Sequence, residues 1–462
     1  MRTVVVIGGG FSGVATAVQL LRQAKAPLKV LLVERSPVFA RGTAYGTSNP
    51  SHLLNVPAAD MSALAGEPES FLQYLQARSI VAQRSSFMPR KLYGDYLADL
   101  LACSEAAATG VHFSRLHDAV VELVPLALGA QLRLASGSVV RADHVVLAFG
   151  HSAPADLAEI PAQALGLRYH RDPWSQKQAG ACPGAATLVV GAGLTAVDVA
   201  LSLSEAGPVY MLSRHGLLPH AHQVAPIVGA EVGALRGEML AAMPSVSRYV
   251  RVLRYRVEHE RARGVDWREV VAAVRPIIPV LWERLNASER KRFLRHVKRY
   301  WDIHRHRMAP QVHESLHARI SSRGIMPIAG RVLSASVDKD GVKVMIRHRK
   351  TGRLETLLVS NILNCTGPNS RLDSVDDAFI CQLRSKGLIS ADPCGLGVEV
   401  DDHLCVRNAS GVASPWLSCI GPMLRARYWE ATAVPELRQH ASDLAAHIIE
   451  QLDCESDLAS QV

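Results

Sequence analysis

The first thirteen residues, Met1-Arg2-Thr3-Val4-Val5-Val6-Ile7-Gly8-Gly9-Gly10-Phe11-Ser12-Gly13, constrain the fold more than any other stretch of this chain. Val4 to Ile7 form an apolar, mostly β-branched run that reads as a short buried parallel strand. The glycines follow at once with G-x-G-x-x-G spacing, and Val14 to Leu21 then read as a helix packed on the sheet. Gly8 permits a tight turn, Gly10 lets a pyrophosphate approach the backbone, and Gly13 lets helix and strand pack closely. Phe11 and Ser12 sit at the helix N-terminus, where free N–H groups and the positive dipole end favour phosphate. A second strand, Val30-Leu31-Leu32-Val33, delivers Glu34 and Arg35, with the acid placed to bind ribose hydroxyls. Strand, glycines, helix, strand and acid in this order predict a dinucleotide-binding βαβ unit.

A second signature starts at Gly191. Thr187-Leu188-Val189-Val190 reads as a strand, Gly191-Ala192-Gly193-Leu194-Thr195-Ala196 as the turn, and Val197 to Leu203 as the helix. Alanine in third place still allows close packing. The following strand, Val209 to Leu212, ends in Ser213-Arg214-His215 rather than an acid. Arginine there pairs with a 2′-phosphate and stacks on adenine, so the spacing predicts NADPH in preference to NADH. Each signature is followed by a β-meander, Ala119–Val140 and Gly330–Val359, and then by an apolar strand stopping at glycine. These strands end in Ala148-Phe149-Gly150 and in Cys365-Thr366-Gly367. The repeat predicts an α/β fold with two Rossmann-like dinucleotide-binding domains, β-meanders and an α-helical insertion. The expected domains are 1–155, 156–225, the insertion 226–320, a return over 321–365, and a C-terminal part of the first domain over 366–462.

At 462 residues, with 48% apolar and 20% charged side chains, the composition is that of a globular protein with two or three cores. No apolar stretch approaches a membrane span, and the chain enters a strand without the regions of a signal peptide, so the expected compartment is the cytoplasm. Eight cysteines include no C-x-x-C, which predicts free, mostly buried thiols and no metal site. The net charge of +9 is local. Arg248 to Arg307 hold 17 Lys and Arg against 7 Asp and Glu. Along this stretch Phe293, Leu294, Val297, Tyr300, Trp301, His304 and Met308 fall at helical spacing, predicting a core-facing stripe on a basic helix. No named RNA-binding motif appears, so nucleic acid is not an expected partner. The oligomeric state has no signature.

Two further regions have the texture of ligand loops. Ser36 to Pro57, containing Arg41, Tyr45, His52, Leu54 and Asn55, is rich in glycine, proline and small polar residues and reads as an extended loop around a cofactor ring. A short amphipathic helix starts at Glu69, and Phe87 to Leu97 lead into another that reaches about Ala107. Near the end, Gly421-Pro422 and Ala431-Thr432 precede a helix expected from Pro435 to about Leu452, whose N-terminus suits a polar ring edge.

Two glycine turns, the strand ends A-F-G and C-T-G, and a late G-P before a helix resemble the two-dinucleotide-binding flavoproteins. The run Gly46-Thr47 with His52-Leu53-Leu54-Asn55-Val56-Pro57 is similar to bacterial FAD/NAD(P)-binding proteins. Phe71-Leu72-x-Tyr74-Leu75, Pro89-Arg90 and Tyr96-Leu97 are similar to the N-hydroxylating flavin monooxygenases. Gly166-x-x-x-His170-x-x-x-Trp174 looks like the fingerprint of class B monooxygenases, with Ala164 in place of the leading aromatic. The resemblance implies FAD at the first site and NAD(P)H at the second, with Asn55 and Arg90 near the flavin and nicotinamide edge. It implies hydride transfer from NADPH to flavin and attack on a small molecule, including N-hydroxylation, by molecular oxygen through a C4a-(hydro)peroxyflavin. A non-oxygenating reductase or dehydrogenase is the alternative of the same class. A flavin-bearing protein whose basic helices engage a partner is the alternative of another.

Overall fold

The computed structural model describes residues 1–175, 184–223 and 232–460. In chain order its elements begin β1 (Arg2–Ile7), α1 (Phe11–Gln23), β2 (Leu28–Glu34), α2 (Gly42–Tyr45), α3 (Ser70–Ala77) and α4 (Arg90–Ala107). There follow β3 (Val111–His117), β4 (Val120–Pro125), β5 (Ala130–Leu134), β6 (Val139–Ala142), β7 (His144–Leu147), α5 (Ala162–Leu165) and β8 (Tyr169–His170). The second half opens with β9 (Thr187–Val190), α6 (Leu194–Leu203) and β10 (Val209–Ser213). Helices then run as α7 (Val232–Ala241), α8 (Val246–Ala262), α9 (Trp267–Val274), α10 (Ile278–Glu283), α11 (Ala287–Arg292), α12 (Lys298–Arg305) and α13 (Pro310–Ser321). The chain ends with β11 (Ile325–Asp338), β12 (Gly341–His348), β13 (Leu354–Val359), β14 (Asn361–Asn364), α14 (Ala378–Ser385), β15 (Cys405–Arg407), β16 (Ala413–Cys419) and α15 (Val434–Ser460).

Two compact units form: 1–152 with 278–287 and 370–462, and 153–277 with 288–369. The first holds a six-stranded sheet in the order β15-β16-β7-β1-β2-β3. From β16 to β3 every pair is parallel; only β15 runs antiparallel. Val4, Val5 and Val6 are fully enclosed because both sheet faces are covered, as the unbroken apolar run requires. Helix α1 buries ten consecutive residues, Ser12 to Leu21, and packs against α4 and α15. The meander β4-β5-β6 is a separate antiparallel sheet. The second unit holds one seven-stranded sheet, β13-β12-β11-β10-β9-β14-β8. Here the meander grows out of the main sheet: the start of β11, Ile325 to Ala329, pairs parallel with β10, and from Gly330 on it pairs antiparallel with β12 through a bulge at Val332–Ser334.

Four expectations are corrected. The insertion is helical, apart from 224–231, which lie outside the described residues, but it does not close into a unit of its own. Residues 278–287 belong to the first unit, where Trp282 is buried, donates its indole N–H to the Ala426 carbonyl at 3.0 Å and packs on Trp429 at 4.8 Å. The apolar stripe is broken, because Phe293–Val297 form a π-turn that shifts the helical register. Of its seven members only Met308 is buried, and Tyr300 is 47% exposed. The loop after Glu34 is less extended than its composition suggests, since Gly42–Tyr45 close a helical turn. Helix α15 also runs to Ser460, past the expected end at Leu452.

Seven described cysteines are free: Cys365, Cys405 and Cys419 are buried, Cys381 and Cys394 half-buried, and Cys103 and Cys454 exposed. Cys182 lies outside the described residues. Burial pushes the Cys405 thiol up to about 11 and Cys419 to about 12, so neither is a nucleophile near neutral pH. Among the described residues no cluster holds a metal and no helix is long and apolar enough to cross a membrane.

Candidate dinucleotide sites

The two glycine turns repeat one another bond for bond. The Gly8 amide donates to the Val33 carbonyl at 2.8 Å, and the Gly191 amide to Leu212 at the same distance. Gly8 has φ +109° and Gly191 φ +136°. A Cβ on Gly8 would overlap the Ala148 carbonyl, and one on Gly191 the Cys365 carbonyl, so neither position admits another residue. Each turn thus backs onto the end of the strand preceding Gly150 or Gly367, which explains why an apolar strand stopping at glycine follows each signature. Gly150 and Gly367 themselves have φ +72° and +99°. A Cβ on Gly13 would strike the Gly8 carbonyl oxygen, the close helix–turn contact expected of the third glycine. Its counterpart Ala196 is fully buried.

Gly10 and Gly193 differ from these. They are the N-caps of α1 and α6, with φ −78° and −79°, and neither helix end has a side-chain cap. A methyl group built on Gly10 meets nothing nearer than the Gly42 Cα at 3.6 Å; on Gly193 it meets nothing within 4 Å. Both helices therefore present open N-termini, and glycine here keeps space clear rather than relieving strain. Phe11, Ser12 and Thr195 lie in those first turns. This arrangement fits a phosphate approaching each helix.

Around the first turn, Glu34 accepts from the Gly9 amide at 2.6 Å and from the Ser36 amide at 2.8 Å. Each carboxylate oxygen keeps a lone pair for a ribose hydroxyl. Arg35 turns away to Asp377 at 3.0 Å, an exposed ion pair. The Ala40 amide donates to the Gly9 carbonyl at 2.8 Å, bringing the loop over the turn. Arg41 pairs with Asp95 at 2.5 Å, and Tyr45 packs on Tyr93 at 4.7 Å and edge-on to Phe11 at 6.5 Å. From the far end of the chain Gly421, φ +111°, approaches Ser12: a Cβ there would lie 3.1 Å from Ser12 Oγ. Pro422 opens the turn beyond it, and the Thr432 amide donates to the Glu430 carbonyl just before α15.

The segment containing the expected flavin-edge residues is tied to the start of α4. The Leu54 amide donates to the Met88 carbonyl at 2.8 Å, and the Arg90 amide to the His52 carbonyl at 2.9 Å. Arg90 Nε also donates to the Leu53 carbonyl at 3.0 Å, and His52 Nδ1 lies 2.7 Å from Thr47 Oγ1. Arg90 and the half-buried Asn55 therefore share one neighbourhood, with Leu54 buried between them and the core. Burial raises the Tyr45 phenol well above its ordinary range, opposed by the Arg90 charge.

At the second turn, Ser213 Oγ accepts from the Gly216 amide at 3.0 Å, and Arg214 is exposed directly after β10. Thr366 donates its hydroxyl to Asn364 Oδ1 at 2.6 Å, and Asn364 in turn donates to the Tyr169 hydroxyl. His170 is an edge-strand residue of β8, opposite Leu363, with burial lowering its pKa. The Trp174 amide donates to Asp172 at 3.0 Å.

Sequence reasoning missed Gly94 and Tyr93. A Cβ on Gly94 would overlap the Arg41 guanidinium, so this glycine makes room for the loop on α4. Its only signal was a glycine inside a helical pattern, which costs stability unless packing requires it.

The fold and the paired turns define a protein with two dinucleotide-binding units. Residues 5–152 match the model of the FAD-NAD(P)-binding family. No curated protein matches by sequence. Among solved structures, the fold is similar to an ornithine hydroxylase from Pseudomonas aeruginosa, with TM-score 0.66 and 15% identity over 98% of this chain and 99% of that one. It is also similar to L-lysine 6-monooxygenase from Pseudomonas syringae, with TM-score 0.63 and 17% identity over 98% and 99%. A third is an ornithine N-hydroxylase from Kutzneria, described with reduced FAD, NADP+ and L-ornithine, with TM-score 0.65 and 14% identity over 98% and 100%. Thioredoxin reductase from T. acidophilum follows at TM-score 0.52.

Proposed function

We propose that this protein is a cytoplasmic, FAD-dependent, NADPH-using monooxygenase acting on a small-molecule amine, with molecular oxygen as co-substrate. The observation that carries the reading is the atom-level repeat of two open, uncapped glycine turns, each on its own parallel sheet. The resemblance of the aromatic and proline–arginine segments to N-hydroxylating enzymes, and the fold shared with three amine hydroxylases, support the reaction class. When bound, the two cofactors supply hydride transfer and oxygen activation.

The residues of the chain do the holding and excluding. The α1 N-terminus and Gly10 receive the FAD pyrophosphate, and Glu34 holds the adenosine ribose, which FMN lacks. The α6 N-terminus does the same for NADPH, with Arg214 beside the 2′-phosphate. Arg90, fixed by two bonds to the 52–53 backbone, and Asn55 line the flavin edge and orient the reacting rings. Enclosure by Phe71, Tyr93 and Tyr96, all buried, keeps water from that side of the site. A dithiol reductase is the reading that the sequence disfavours, because it has no C-x-x-C. The test is oxidation of NADPH with ornithine, lysine and simple diamines under ¹⁸O-labelled oxygen. A hydroxylamine carrying the label is expected. NADPH consumption with no labelled product from any amine tried, but turnover with quinones, would make it a reductase.

A further inference from the structure

The helical insertion brings to the end of β10 a cation that the reading above has not used. After Ser213, which lies opposite Ala329 of β11, come Arg214 and His215. The Arg349 amide donates to the Ala329 carbonyl at 2.9 Å, and Arg349 Nη1 reaches the Arg214 carbonyl at 3.5 Å. Arg331 lies two residues beyond Ala329 on the same strand. From α12, Arg299 donates from Nη1 to His215 Nε2 at 3.2 Å, its guanidinium resting over the Tyr300 ring at 4.8 Å. The imidazole of His215 therefore has four guanidiniums around it. Burial, and then the charges of Arg299, Arg349, Arg214 and Arg331, lower its pKa.

Two neighbouring cations of the insertion are neutralised: Arg292 pairs with Glu289 at 2.7 Å, and Lys298 pairs with Asp302. Among the described residues no carboxylate pairs with Arg214, Arg299, Arg331 or Arg349. Like charges gathered this way repel, and a dianion among them turns repulsion into charge-assisted hydrogen bonds. The place is also specific. The second glycine turn is bonded to Leu212, two residues before Arg214, so a coenzyme ribose held on α6 ends beside this cluster.

We propose that Arg299, with Arg214, Arg331 and Arg349, forms a phosphomonoester site, so that the helical insertion itself reads the coenzyme's 2′-phosphate. The proposal rests on the NADPH reading above and assigns its specificity to a residue outside the dinucleotide-binding motif.

Calorimetric titration of the full-length, flavin-loaded protein with 2′,5′-ADP, 5′-AMP and inorganic phosphate tests it. Wild-type protein should bind 2′,5′-ADP on the order of tenfold to a hundredfold tighter than 5′-AMP, the range of charge-assisted contacts to phosphate. Arg299→Gln should lose about tenfold of that margin. Lys291→Gln, an exposed change on α11, should keep it. Arg299→Lys retains charge and stem but loses the planar fork, so it should fold normally and lose the margin severalfold. Equal binding of 2′,5′-ADP and 5′-AMP by wild-type protein would overturn the NADPH reading itself. A wild-type margin that survives in both Arg299 variants would leave that reading standing and overturn the role of the insertion. Inorganic phosphate binding as tightly as 2′,5′-ADP would make this a free-phosphate site instead.

Discussion

The two glycines of the first turn should separate folding from cofactor binding. Gly10 has φ −78° and ψ −165°, an extended conformation open to any residue, and a methyl there makes only an ordinary 3.6 Å contact with the Gly42 Cα. Gly10→Ala should therefore leave the cofactor-free protein as stable as wild type, or ~0.4–1 kcal/mol more stable through the lost backbone freedom of the unfolded chain. The same methyl stands where a pyrophosphate must approach the α1 N-terminus. Losing one or two charge-assisted bonds to backbone amides costs about 3 kcal/mol, on the order of a hundredfold in FAD affinity. Gly13→Ala differs, because its Cβ would collide with the Gly8 carbonyl oxygen, a backbone atom, while also lying 3.3 Å from Val6 Cγ1. Overpacking of this kind costs ~1–3 kcal/mol or more, so this variant should lose stability and flavin together. Urea unfolding of the cofactor-free proteins and flavin released on denaturation measure both quantities. A Gly10→Ala protein that retains FAD with wild-type affinity would refute the placement of the pyrophosphate. A Gly13→Ala protein as stable as wild type would refute the packing argument.

Trp282→Ala should cost ~3–5 kcal/mol in the first unit through the cavity left against Trp429, whereas Trp282→Phe should cost about 1 kcal/mol, mainly the bond to the Ala426 carbonyl; thermal melts of both compare directly, and equal losses would contradict the assignment. His144, buried beside Ser418 Oγ at 2.9 Å, has its pKa pushed down to about 3 by burial and by His447. Being neutral in the fold, it contributes stability that is present above the unfolded pKa near ~6.5 and lost as pH falls towards the folded value. Between pH 7 and pH 5 wild-type protein should lose about 2 kcal/mol more than His144→Gln, and parallel losses in denaturant titrations would show that this histidine does not govern the acid limb.

Most of the architecture was legible because local chemistry and global fold agree in it. Val4–Ile7 and Thr187–Val190 are mostly β-branched runs bounded by glycine, and Gly8 and Gly191, both with positive φ, stand where a strand must turn against a backbone carbonyl. Motif spacing carries that information. It did not carry the partition of the insertion, because Ile278–Glu283 and its Trp282 are helical whichever core receives them; only tertiary packing on Trp429 decides. Nor did periodicity show the π-turn at Phe293–Val297, where one extra residue per turn destroys the stripe that a 3.6-residue count predicts. At the site, the glycine turns and the Glu34 carboxylate beside them followed from spacing, but the contact of Arg299 with His215 joins residues 84 apart on elements with no common pattern. Arg35 stood next to Glu34 in sequence, yet strand alternation sends it to Asp377.

The proposed function requires FAD at the first glycine turn and NADPH delivering reducing equivalents at the second. Anaerobic titration of the purified protein, followed by flavin absorbance near ~450 nm, tests it most directly. Yellow protein is expected that releases FAD rather than FMN, bleached rapidly and stoichiometrically by NADPH and on the order of tenfold or more slowly by equimolar NADH. Protein that stays colourless after incubation with FAD, or whose bound flavin neither coenzyme reduces, would contradict it.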